Sequence, residues 1–144
     1  MASNINVADD VVETFEKLVH GAKYRAVVGK INDSFSEIEV ERTLPPLEEG
    51  GDLLAAWKEM VESLPENDCR FVLYDFQWKF SETITKSKVI LILWSAEYSK
   101  VRNKMIYASS KECLTNKIPE INRFIQATET DELTFDLVLN RIEH

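Results

Sequence analysis

Nucleophilic or metal chemistry would have to come from two histidines and two cysteines, and their placement in the 144-residue chain supports neither. His20 falls at a helix end and His144 is terminal, both far from any ligand-like cluster in sequence. Cys69 and Cys113 have no Cys-x-x-Cys spacing. A thiol nucleophile needs a base to hold it, and no histidine lies near Cys113. No glycine-rich phosphate loop or metal motif occurs either. The sequence therefore gives no catalytic residue, no metal site and no cofactor, and an enzyme is not expected. Two sparse cysteines fit a reducing compartment, so the cytoplasm is the expected location.

What remains is binding chemistry, and it is concentrated. Between Lys86 and Lys111 stand Lys86, Lys88, Lys100, Arg102, Lys104 and Lys111 against the single acid Glu97, a local charge of +5 that leaves −13 for the remainder of a chain whose net charge is −8. An acidic protein with one basic strip is unsuited to broad nucleic-acid contact. The strip suits a localised acidic partner. Residues 37–62 hold eight acids and two bases, a solvated acidic flank.

The elements that must position this strip can be read from periodicity. A chain of this length forms one domain and buries about two-thirds of its unfolded surface, and the longest apolar run, Val89 to Trp94, is far too short to span a membrane. Val11, Phe15 and Leu18 recur at helical spacing behind Asp9 and Asp10, predicting a first helix to about Gly21. Tyr24 to Ile31 and Phe35 to Arg42 predict a hairpin with one wet face. Leu53, Trp57, Met60 and Leu64 predict a second helix, stopped by Pro65. Cys69 to Phe80 and Lys88 to Trp94 are strand-like, the latter apolar without alternation, as in a central strand covered on both faces. A helix from Ser99 to Leu114, a short strand at Arg123 to Ala127 and a last helix capped by Thr134 complete the order αββαββαβα. The class is α/β or α+β, a mixed sheet with helices on both faces in a single domain over residues 1–144. No heptad pattern points to self-association, so a monomer is expected.

The helix from Ser99 carries most of the strip. Ile106, Tyr107, Ser110 and Leu114 share one side, and Val101, Met105, Ala108 and Glu112 fall on the opposite one. Only one side can pack on a sheet. Either the other side is also buried, or it exposes an apolar centre rimmed by Arg102, Lys104 and Lys111, as a protein-binding patch does. Periodicity leaves both open.

The segment VRNKMIYASSK at 101–111, preceded by ILWS at 92–95, resembles the signature of the actin-depolymerising factor/cofilin family. The similarity extends to the Met-Ala-Ser start with Val7 and Asp9, to CRFVLYD at 69–75, to Lys86 and Lys88, to QAT at 126–128 and to FDLVLNR at 135–141. The resemblance implies a mixed sheet with helices on both faces, binding to actin monomers and filaments, and filament severing and turnover. A coactosin-like protein of the same fold, either a filament side-binder that does not sever or a monomer-binding protein, is the rival.

Carried over residue by residue, the resemblance places Ser3, Arg102, Lys104, Met105, Ser109 and Ser110 on the surface used toward the monomer and along the filament. It places Lys86, Lys88 and Arg141 on a second surface used only on filaments. Ser3, on a flexible arm formed by residues 1–6, is the candidate phosphorylation switch, and the basic strip is a candidate contact for phosphoinositide head groups. Three features depart from the family pattern. Asn140 stands where many members have an acid, the Ser95-Ala96-Glu97 stretch lacks a proline common after the tryptophan, and the basic nuclear-localisation cluster of vertebrate members is absent.

Overall fold

Side chains in the middle of the chain alternate between two buried layers. Phe71, Leu73, Leu91 and Leu93 face one way and Val72, Tyr74, Ile90 and Ile92 the other, all at most 3% exposed. An alternating run buried on both sides must be covered twice, so helices are required above and below it. The computed structural model describes residues 5–21 and 23–143. Its elements are β1 (Asn6–Val7), α1 (Asp9–Gly21), β2 (Ala26–Ile31), β3 (Glu37–Leu44), α2 (Leu53–Glu62), β4 (Cys69–Lys79), β5 (Thr85–Ser95), α3 (Val101–Lys117), β6 (Phe124–Ala127), a 3-10 turn at Thr130–Leu133, and α4 (Phe135–Glu143).

The strands form one mixed sheet in the order β1-β3-β2-β4-β5-β6, with β1 and β6 parallel to their neighbours and the other pairs antiparallel. One core holds α1 and α3 against it through Val11, Phe15, Leu18, Tyr107 and Leu114. The other holds α2 and α4 through Trp57, Met60, Val61, Val138 and Ile142. The expected single-domain architecture, a mixed sheet with helices on both faces, is the one observed.

Local chemistry sets the boundaries. Asp52 caps α2 by accepting the Ala55 N–H at 3.0 Å, and Thr134 Oγ1 accepts the Leu137 N–H at 3.4 Å, as its position before the last helix predicts. Glu129 and Glu132 form a reciprocal capping box around the 3-10 turn. In the β2–β3 connection Asn32 Oδ1 accepts from the backbone of Ser36 at 2.9 Å and of Glu37 at 3.2 Å.

Of the flexible arm expected at residues 1–6, Ile5 and Asn6 are held by the fold. Ile5 is buried at 6% exposure, and Asn6 and Val7 pair with Glu37 and Ile38 as β1, because the apolar Ile5 and Val7 have a core to enter beside α1. Ser3 lies outside the described residues.

Candidate functional site

α3 resolves the alternative left open by periodicity. Tyr107, Ser110 and Leu114 are buried toward the sheet, whereas Val101 is 71% exposed, Met105 66% and the preceding Tyr98 79%. Three large apolar side chains in water on and beside one helical turn is an arrangement that a solvated surface does not require. α3 is held by its buried side. The Tyr107 hydroxyl accepts the Ile31 N–H at 2.9 Å, tying the helix to β2, and its ring lies 5.2 Å from that of Phe71.

The basic rim is fixed by neighbours. Arg102, exposed, stacks its guanidinium 4.6 Å from the centre of the Phe35 ring. Lys104 donates from Nζ to the Glu97 carbonyl at 2.7 Å, and Lys111 lies 3.7 Å over Phe124. Ser109 is exposed, its hydroxyl donating to the Ile106 carbonyl at 3.1 Å. Ser110 departs from the expectation. It is fully buried, its hydroxyl donating to the Ile106 carbonyl at 2.5 Å, because it lies three residues after Tyr107 on the sheet-facing side. It offers no surface to a partner.

Below the start of α3, Arg70 is buried between Glu41, at 3.1 Å from Nε, and Asp68, at 2.7 Å from Nη1. Burial pushes the Asp68 carboxyl up, but the hydrogen bonds from Arg70 and the Cys69 backbone outweigh it and hold that carboxyl below its usual range. Asp68 in turn accepts from Asn103 of α3 at 3.4 Å.

Burial also acts on two phenols. Tyr74 and Tyr107 are both pushed up to about 12, against opposing contributions from Arg25 and from the Ile31 hydrogen bond respectively. An unfolded tyrosine ionises near pH ~10, so the folded state binds these protons more tightly. The resulting stability is complete below that pH and is lost as the pH climbs toward 12. Tyr107→Phe is expected to shrink this alkaline loss, and at pH 7 to cost about 1–3 kcal/mol by leaving the Ile31 N–H unpaired. Urea melts at neutral and alkaline pH measure both effects.

The second predicted surface lies with the opposite core. Lys88 Nζ donates to the Ile142 carbonyl at 2.9 Å, so it caps the last turn of α4, where Arg141 stands exposed. The capping role open to Arg141 by position is filled by Lys88. Lys86, two residues earlier on the same strand face, lies 3.8 Å over the Phe80 ring. Phe80 and Ile84 are 57% and 48% exposed where β4 turns into β5. Because α3 and α4 pack on opposite faces of the sheet, the two basic surfaces are separate.

Three participants escape a reading from residues alone. Phe35, under Arg102, has a φ of 55°, a left-handed conformation uncommon for a bulky side chain. Phe80 and Ile84 flank the polar turn between β4 and β5. In each case the signal is an apolar residue at the edge of a polar turn.

Among the described residues, no helix is long and apolar enough to cross a membrane. A family model described as cofilin/tropomyosin-type actin-binding protein matches residues 4–143. Actin-depolymerizing factor 11 of Oryza sativa subsp. japonica is 36% identical over 140 residues, covering 97% of this chain and 92% of that protein. The crystal structure of Plasmodium berghei actin depolymerization factor 2 superimposes with a TM-score of 0.86 at 26% identity over the whole of both chains. Coactosin from Entamoeba histolytica shares the fold at a TM-score of 0.76 and 19% identity, covering 98% of this chain and 96% of that one. With one side of α3 exposed and residues 4–143 matched by the family model, the chain belongs to the actin-depolymerising factor/cofilin family of actin-binding proteins.

Proposed function

We propose that the exposed turn of α3, with Val101 and Met105 at its centre and Arg102, Lys104 and Ser109 around them, binds the actin monomer and the side of the filament. Lys86, Lys88 and Arg141 form a second contact made only on filaments, and engagement of both severs and depolymerises them in the cytoplasm. The observation that carries this reading is the apolar centre on α3, more than half exposed and rimmed by cations. Co-sedimentation with filaments, combined with counting filament ends by microscopy, tests it. Pelleting without new ends would favour a side-binder that does not sever. Asn140, in the position of a customary acid, is the one residue that favours that second reading, and Asn140→Glu should then raise the number of ends.

The two lysines of the second surface are expected to behave differently. Lys86→Glu should reduce filament co-sedimentation and severing while sparing monomer binding and stability, since Lys86 only overlies the exposed Phe80. Lys88→Glu should also lower the melting temperature, because it removes the donor to Ile142 and puts an anion at the negative end of α4. Equal loss of monomer and filament binding in Lys86→Glu would collapse the two-surface division.

Ser3 would act as a charge switch. A phosphate adds about −1.5 to −2 charge, and the chain enters the described region through β1, which is packed against α3. Ser3→Glu should therefore weaken monomer and filament binding together with the fold intact, as pelleting and circular dichroism would report. Anionic phosphoinositide head groups would compete for the same strip, and vesicle binding that survives loss of Lys86, Lys88, Arg102 and Lys104 would reject that overlap.

A further inference from the structure

Away from both basic surfaces, α1 meets the connection between α3 and β6 through side chains about a hundred positions apart. Glu16 and His20, four residues apart, rise from one face of α1. Glu120 comes alongside from a turn closed by the Ile121 N–H on the Ile118 carbonyl at 3.1 Å. His20 Nε2 and Glu120 Oε2 are 2.9 Å apart, and one ligand-type atom from each of the three residues lies within 4.8 Å of the others. The nearest lysine of the helix is engaged elsewhere, Lys17 reaching Glu13 at 3.4 Å. Glu16 therefore brings to the histidine a carboxylate with no ion pair among the described residues.

We propose that Glu16, His20 and Glu120 form a surface site for Zn²⁺. An imidazole nitrogen and two carboxylate oxygens are a donor set that zinc accepts, with a fourth position left to water. Ligand atoms about a tetrahedral zinc ion stand roughly 3.4 Å apart, given metal–ligand bonds near 2.1 Å. The His20–Glu120 separation is already close to that, and Glu16 reaches it by rotating an exposed side chain. Magnesium and calcium prefer all-oxygen shells of six or more ligands, which three side chains including an imidazole do not supply. The ion would replace the His20–Glu120 hydrogen bond by a bridge from α1 to the segment that follows α3. Since the C-cap Ile118 of α3 lies 13 residues after Met105 and a helix rises about 1.5 Å per residue, the end of α3 next to the site stands about 20 Å from Met105. Zinc would therefore bind together with actin and not against it.

The test is calorimetric titration of Zn²⁺ into the metal-free full-length chain and into His20→Ala, Glu120→Gln and Cys113→Ser. One equivalent is expected for the parent and for Cys113→Ser, with at least ten-fold weaker binding in the other two and no heat from Mg²⁺. Zinc should raise the melting temperature of the parent and leave that of His20→Ala unmoved. Absence of binding to the parent would overturn the site, as would binding unchanged in His20→Ala and Glu120→Gln or abolished only in Cys113→Ser. Circular dichroism of each variant confirms that a lost heat is not a lost fold.

Discussion

Replacing Arg102 and Lys104 together by alanine is expected to weaken binding to actin monomers by about 2 kcal/mol or more, roughly thirty-fold, with little change in stability. Under the proposed function two cations on the rim would steer an acidic partner, and their loss should appear first in the association rate and its salt dependence. The fold should tolerate the change because neither side chain is in a core. Arg102 gives up a stacking contact with Phe35, and Lys104 frees a Glu97 carbonyl that water can satisfy. Met105→Ala probes the apolar centre separately and should slow nothing but raise the dissociation rate. Monomer binding at parental strength in the double variant, measured by quenching of a labelled monomer, would remove α3 from the interface.

Trp57→Ala is expected to have the largest effect on stability, about 3–5 kcal/mol from packing alone. Trp57 is 2% exposed, meets Tyr74 and Phe76 edge-on with centroids 4.8 and 5.0 Å away, and donates from Nε1 to the Leu133 carbonyl at 2.6 Å. Truncation opens a cavity between α2 and the sheet and leaves that carbonyl unpaired, a further cost. Against a net stability of about 5–15 kcal/mol for a domain, the variant should stand near the edge of folding at 37 °C. Denaturant melts would register it as a large fall in midpoint. Monomer binding by the fraction that remains folded should persist, because α3 packs on the other side of the sheet.

Long periodic segments were legible and short or distant features were not. Val89 to Trp94 reads as a covered central strand because both sheet faces demand apolar residues, and that is where β5 lies. The strand nevertheless begins at Thr85, since the polar residues 85–88 still pair with β4 beyond the reach of either core. β1 is two residues long and carries no periodicity at all. On α3 the helical spacing grouped Ser110 with Tyr107 and Leu114, while family resemblance grouped it with Met105; the geometry of the helix prevailed. The approach of His20 to Glu120 depends on how α1 and the end of α3 lie on the same sheet face, which no local pattern encodes.

The sheet order also decides which backbone edges are open to another chain. Its outermost strands are the two-residue β1 and the four-residue β6, while the eleven-residue β4 and β5 are both interior. An outer strand offers unpaired N–H and C=O groups to any other chain that meets it, in proportion to its length. Here the apolar stretches Phe71–Tyr74 and Leu91–Trp94 are paired on both sides, whereas the edge of β3 that β1 leaves open beyond Ile38 carries Glu39, Glu41 and Arg42, charges that oppose pairing with a neighbour. Copies crowded along a filament, as under the proposed function, would thus meet at charged edges and not at apolar ones.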